Sequence, residues 1–153
     1  MQIDVFDRQI LTTIAAGGRL PVVELAARVG LSPSACTRRL QNLEAAGVIR
    51  GYRAILDPVA VGLGITVFVE ISLDRQNDDA LRAFEAAAAR SPNILSCHLM
   101  SGTSDYLLHV VARDVGDFEH IHANVLGHLP GVARIESKFA LREAIDRPLT
   151  PIG

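Results

Sequence analysis

Apolar side chains recur every three or four positions through the first third of the chain, and beyond Ile65 that period shortens to two. Phe6, Ile10 and Ile14 repeat at intervals of four with Leu11 widening the stripe, so a first helix is predicted, capped by Asp4 and ended by Gly17-Gly18. Pro21 suits the first position of a second helix over about Val22 to Val29, whose apolar residues Leu25, Ala26 and Val29 precede the interruption at Gly30. Ser32-Pro33 is the next start signal, because the Ser hydroxyl can accept from a free N–H of the first turn and Pro lacks an N–H that would otherwise be unpaired. The third helix should run to about Ala46, with Gly47 as its left-handed stop. Projected at helical pitch, Cys36, Leu40 and Leu43 share one face, Ser34, Arg38, Gln41 and Asn42 the opposite one, and Thr37 the boundary.

After Gly47, residues 48–56 read as a short extended segment broken by Gly51, fit for a wing or a first linker strand. Asp57-Pro58 signals a turn, and small and apolar residues lead to Gly64. Ile65, Val67, Val69, Ile71 and Leu73 then alternate with Thr66, Phe68, Glu70 and Ser72, the period of a strand with one buried face. A helix should start at Asp78 or Asp79, carry Leu81, Phe84 and Ala88 inward and stop at Ser91-Pro92. Asn93 to Met100 and Tyr106 to Ala112 read as strands joined by the turn Ser101 to Asp105. Asp114 to Leu129 reads as a helix ended by Pro130-Gly131, and Val132 to Leu141 as a last strand. That order, βαββαβ, predicts an α+β protein in which a ferredoxin-like sheet with helices on one face follows a helix-turn-helix. The boundaries expected are 1–54 for the helical domain, 55–64 for a linker and 65–153 for the sheet domain. Phe68, with Leu107, His109 and Val111, makes the second sheet face partly apolar, which predicts a covering copy of the chain and hence a homo-oligomer.

Composition narrows the function classes. The 153 residues are 49% hydrophobic, enough for real cores, and no apolar run is long enough to span a membrane. An N-terminus with two Asp residues is not a secretory signal, so the cytoplasm is the expected compartment. Net charge is −2, yet residues 1–55 hold seven Arg against four Asp and Glu, so a basic surplus coincides with the helix-turn-helix. Cys36 and Cys97 make no metal motif and read as reduced and structural. The five histidines, all in the second half, lack ligand spacing: His120 and His122 lie two apart on a predicted helix, and His98 beside Cys97 faces the other side of a strand. No nucleophile and base pair, phosphate loop or cofactor motif is present, so neither an enzyme nor a resident cofactor is expected.

Two stretches carry candidate chemistry. The outward face of the third helix offers donors, acceptors and Arg with no carboxylate before Glu44, which suits base edges and phosphates; a solvated amphipathic face has the same pattern. The turn Ser101, Gly102, Thr103, Ser104 and Asp105 offers what a free amino acid requires, a carboxylate for its ammonium and backbone N–H groups and hydroxyls for its carboxylate; a plain hairpin turn would use the same residues.

The order and spacing of these segments identify a resemblance. Ile3-Asp4 with Asp7, Ile10-Leu11, Gly18-Arg19, Glu24-Leu25-Ala26, Gly30-Leu31-Ser32, Arg39, Leu43-Glu44, Gly47-Val48-Ile49 and Gly51-Tyr52, followed by Ser101 to Leu108 and Leu129-Pro130-Gly131-Val132, resemble the Lrp/AsnC family of transcription regulators over nearly the whole chain. The resemblance implies a winged helix-turn-helix joined to a ferredoxin-like effector domain, assembly into dimers and then octamers as tetramers of dimers, and amino-acid-responsive control of amino-acid metabolism genes. It implies that Ser34, Thr37, Arg38 and Gln41 reach the major groove of double-stranded DNA, with Ser32, Arg39, Arg19 and Arg53 as phosphate candidates. Arg39 lies beside the apolar stripe, so a stem packed on the core with an ion pair to a neighbour is an equal alternative for it. It also implies that Ser101 to Asp105 line an amino-acid site between subunits. Pro21 and Ala35 depart from residues frequent in relatives, which alters the approach to DNA. A metal- or redox-responsive winged-helix regulator using Cys97 and the histidines is the competing reading.

Overall fold

The computed structural model describes residues 2–151, which form two compact units. The first comprises residues up to 55 together with those from 144 onward, and the second comprises 56–143. Residues 144–151, expected with the sheet, therefore cluster with the helices, where Pro151 lines a shallow concavity beside Val5, Arg8 and Thr12.

The first unit holds helices α1 (Val5–Gly17), α2 (Val22–Val29) and α3 (Pro33–Ala45). Asp4 caps α1 as predicted, and Asp7 returns the bond to the Asp4 N–H, closing a capping box. Ser32 caps α3 by accepting from the Ala35 N–H, with Pro33 at the first helical position. Pro21 is the N-cap of α2 rather than its first residue, so that helix has no side-chain cap. Ile10, Leu25, Ala26, Val29, Cys36 and Leu43 form the core, and Gly47, at a φ of 70°, turns the chain away after α3. The segment after Gly47 is extended, but no strand forms there among the described residues, so the expected wing strand has no ladder within this chain.

The second unit is a four-stranded antiparallel sheet of β1 (Ile65–Leu73), β2 (Ile94–Leu99), β3 (Tyr106–Ala112) and β4 (Val132–Phe139), in the order β2-β3-β1-β4. Helices α4 (Asp78–Ala88) and α5 (Val115–Asn124) follow β1 and β3, which is the predicted ferredoxin-like arrangement. Val67, Val69 and Ile71 pack with Tyr106, Leu108 and Val110 beneath Phe84, Phe118 and Ile121. Helix α4 starts at Asp78, as expected, and Asn77 caps it by accepting from the Ala80 N–H. The helix predicted to reach Leu129 stops at Asn124 and gives way to a 3₁₀ turn over Leu126–His128. Gly127 allows this tightening, since a Cβ there would lie 3.3 Å from the His122 carbonyl oxygen. Gly64 answers a closer constraint: a Cβ would stand 2.7 Å from the Arg113 carbonyl oxygen.

Register shifts fall between Ile94 and Ser96 in β2 and between Ser72 and Leu73 in β1. On the face away from the helices, Phe68 stands opposite His109 and Glu70 opposite Leu107. Phe68 remains 40% exposed, whereas Val111, expected to need covering, is already buried within the unit.

Candidate DNA-reading face and effector turn

Taking Ser34 as zero on the α3 wheel, Arg38 lies at about +40° and Gln41 at about −20°, so these three exposed side chains share one narrow strip. Asn42, at about +80°, widens it on one side. Thr37 lies at about −60°, half-buried, with its hydroxyl donating to the Pro33 carbonyl oxygen at 2.8 Å; its methyl group and the two lone pairs of its oxygen are what it can offer a base. Ser32 and Ser34 hydroxyls lie 3.2 Å apart, and the Ser32 oxygen is the cap acceptor of α3. Arg53 is exposed on the extended segment.

The two remaining phosphate candidates have defined surroundings. Arg39 Nη1 donates to Asp4 Oδ2 at 2.7 Å and Asp7 Oδ1 at 2.9 Å, and its guanidinium lies over the Phe6 ring. Asp7 is the buried polar residue of this unit, so Arg39 supplies the charge partner that a buried carboxylate requires. These bonds hold the Arg39 pKa above its ordinary value, and Asp4 is lowered first by the Asp7 N–H and then by Arg39. Of the two readings left open for Arg39, the structure shows the ion pair, which ties α1 to α3. Arg19, exposed in the loop after α1, lies over the Tyr52 ring at 5.3 Å from its centroid. Tyr52 donates its hydroxyl to Glu44 Oε1 at 2.8 Å, and its pKa is pushed up to about 12 by burial and then by Glu44. Neither Glu44 nor Tyr52 stands out by residue type or spacing, and their pairing follows only from the approach of the extended segment to α3.

The turn 101–105 is less open than its composition suggests. Ser101, Gly102 and Thr103 are exposed, while Ser104 and Asp105 are half-buried. Ser104 donates to Glu70 Oε2 at 3.2 Å, and Glu70 is in turn held by Lys138 at 2.6 Å, which keeps its carboxyl below the ordinary range. Asp105 Oδ2 accepts from the Leu73 N–H at 2.7 Å, and its own N–H donates to the Ile71 carbonyl oxygen. The β1–β3 ladder ends at Ile71 opposite Tyr106, and the Asp105 carboxylate takes up the Leu73 N–H beyond that end. One carboxylate oxygen, Oδ2, is therefore committed to the fold, with Gln76 Nε2 also 3.5 Å from it. A groove of about 340 Å³ lies beside the turn, lined by Glu85, Ile94, Leu95, Cys97, Leu99 and Tyr106, but none of residues 101–105 lines it.

The thiols and histidines are dispersed. Cys36 is fully buried and burial raises its pKa; Cys97 is pushed up to about 11 by burial and then by Glu85. Thiols so raised are not poised as thiolates. His120 meets Asn124, His128 meets the Ala123 carbonyl, His122 packs edge-on to Phe118 and His109 stacks on Phe68. Among the described residues no group of three or more His, Cys, Asp or Glu is placed to hold a metal ion.

Residues 66–150 match the family model of the Lrp/AsnC ligand-binding domain, and residues 3–50 match that of a winged helix-turn-helix DNA-binding domain. The chain belongs to the Lrp/AsnC family of transcriptional regulators. It is 38% identical over 151 residues to the Bkd operon transcriptional regulator of Pseudomonas aeruginosa, covering 99% of each chain. It is 42% identical over 141 residues to the leucine-responsive regulatory protein of Salmonella typhimurium, covering 92% of this chain and 86% of that one. A transcriptional regulator of Neisseria meningitidis solved as a complex with L-Met superposes with a TM-score of 0.92 at 39% identity, over 98% of this chain and 97% of the other. As an Lrp/AsnC protein it is a DNA-binding regulator with a ligand-binding domain, and the family is one of regulators rather than enzymes. No helix among its described residues is long and apolar enough to cross a membrane.

Proposed function

We propose that this Lrp/AsnC protein reads duplex DNA through α3 and adjusts that binding to a small amino acid held at the turn 101–105, controlling genes of amino-acid metabolism. The observation that carries the DNA half is the strip Ser34, Arg38 and Gln41, three exposed polar side chains on a helix whose opposite face is locked into the core. Arg38 and Gln41 have the geometry for bidentate contacts with guanine and adenine edges, while Ser32, Arg19 and Arg53 serve phosphates. Arg39 acts as a brace for α1. In the effector half, Asp105 Oδ1 receives the ammonium, and the hydroxyls and backbone N–H groups from Ser101 to Ser104 receive the carboxylate. The L-Met complex of the Neisseria relative supports an amino acid as the ligand class.

The working unit in this reading is a homo-oligomer, built from dimers into an octamer. Phe68 exposes an aromatic ring on the open sheet face, and the buried His109 Nε2 stacked beside it has no hydrogen-bond partner among the described residues. A second copy laid on this face would cover the ring and supply an acceptor or donor for that nitrogen. Binding at the turn then alters DNA affinity by changing how copies pack.

Thermal unfolding against the twenty amino acids at millimolar concentration tests the effector half. A ligand at about 100 times its Kd adds about 2.7 kcal/mol, so one chemical class should raise Tm. The same class should change the affinity for the DNA upstream of the regulated gene. A panel that leaves both Tm and DNA affinity unmoved would sink the effector assignment.

A further inference from the structure

Glu44 follows Thr37 around α3, at about −80° from Ser34, and therefore borders the reading strip on its Gln41 side near the helix C-terminus. From that border a chain of contacts runs outward. Glu44 Oε1 accepts from the Tyr52 hydroxyl at 2.8 Å, and the Tyr52 ring carries the Arg19 guanidinium at 5.3 Å on its face. Arg19 comes from the loop between α1 and α2, Tyr52 from the extended segment after α3, and neither element alone fixes the other. An exposed Arg on a loop has many rotamers, and stacking on an aromatic face removes most of them before any phosphate arrives. The Tyr52 hydroxyl, with its pKa raised, remains the donor across the physiological range and keeps the ring edge anchored to α3.

We propose that Tyr52 is a positioning residue for DNA binding, holding Arg19 beside the α3 reading strip as a pre-set phosphate contact. The inference rests on the DNA-binding reading above. Tyr52 touches no DNA in it; the ring acts through Arg19, and Glu44 acts through the ring. The cationic partner of the tyrosine matters because a carboxylate bordering the strip would repel phosphates, and here Glu44 is turned to a neutral hydroxyl while Arg19 supplies the positive charge outside it.

The test is the salt dependence of binding of the full chain to a fixed mixed-sequence duplex, because each phosphate neutralised contributes about 0.9 to the slope of log affinity against log salt. Tyr52→Leu should make the slope shallower by about 0.9 for every Arg19 disengaged, and Arg19→Ala should do the same. Tyr52→Phe keeps the ring face but gives up the Glu44 anchor, so its slope should lie between those of the parental chain and Tyr52→Leu, and Tyr52→Leu added to Arg19→Ala should change the slope no further. Melting curves accompany each variant, since a merely structural role would lower Tm without moving the slope. Tyr52→Met, apolar and similar in reach, replaces the Leu variant if the latter is unfolded. The proposal is overturned if the Arg19→Ala slope equals the parental one, if Tyr52→Leu leaves the slope unchanged, or if Tyr52→Leu shifts it equally with and without Arg19. A parental chain with no salt-dependent binding would instead remove the DNA-binding reading, and this inference with it.

Discussion

At the scale of single residues, identity and role separate wherever a side chain has two possible partners. Arg39 and Arg38 are neighbours in sequence, yet one turns to the Asp4–Asp7 capping box and the other stands exposed on the outer face of α3. Arg38→Ala and Gln41→Ala should therefore each relax base preference by about 1–3 kcal/mol, read as the affinity ratio between matched and mismatched duplexes. Arg39→Ala should leave that ratio unchanged and lower Tm, because it deprives buried Asp7 of its cation. Asp105 has a divided role. Asp105→Ala strands the Leu73 N–H and should cost about 1–3 kcal/mol in chemical denaturation. Asp105→Asn keeps an acceptor for that N–H, so it should retain most of the stability while losing the amino-acid-dependent melting shift. A pair of variants that lose both properties together would show the turn to be structural only.

Elements respond to packing and to local charge. Leu43 is fully buried between the three helices, and Leu43→Ala should destabilise the first unit by about 2–5 kcal/mol in denaturant titration. In the second unit Asp117, in the first turn of α5, is bound by the Arg113 side chain and then its N–H, which together lower its pKa from 3.8 to about 2. A carboxylate lowered on folding stabilises the fold above its unfolded pKa and loses that contribution as pH falls through the folded value. The stabilisation should thus be complete above about pH 4 and disappear toward pH 2, and Asp117→Asn should flatten the stability profile in that window. The ends of elements show where reading the sequence stops. Periodicity runs through Val125 and Leu129, but the chain tightens into a 3₁₀ turn because Gly127 permits the approach to the His122 carbonyl. Similarly, Asn77 took the cap that Asp78 and Asp79 could equally have filled, and nothing in residue type distinguishes three adjacent Asx caps.

For the molecule as a whole, the open sheet face yields the test of assembly. Phe68→Glu replaces the exposed ring with a carboxylate between His109 and Lys138, two residues from the facing pair Glu70 and Glu136 that Lys138 bridges. It should lower the oligomeric state in sedimentation velocity while the far-ultraviolet spectrum stays that of the folded chain; an unchanged assembly would place the interface elsewhere. The sequence by itself determined the helix-turn-helix, the strand and helix order of the second unit and the family, because periodicity, caps and turn residues are local properties that one stretch of chain carries complete. It also placed Ser34, Arg38 and Gln41 together on one exposed strip of α3, since residues on one helix face are related by pitch alone. Only the tertiary structure decided which charges are free. The Arg39 brace spans more than thirty positions to Asp4 and Asp7, the Asp105 bond to Leu73 joins the turn before β3 to the end of β1, and the Arg19–Tyr52–Glu44 chain joins three separate segments. Such contacts depend on where segments meet in space, and chain periodicity contains no record of that distance.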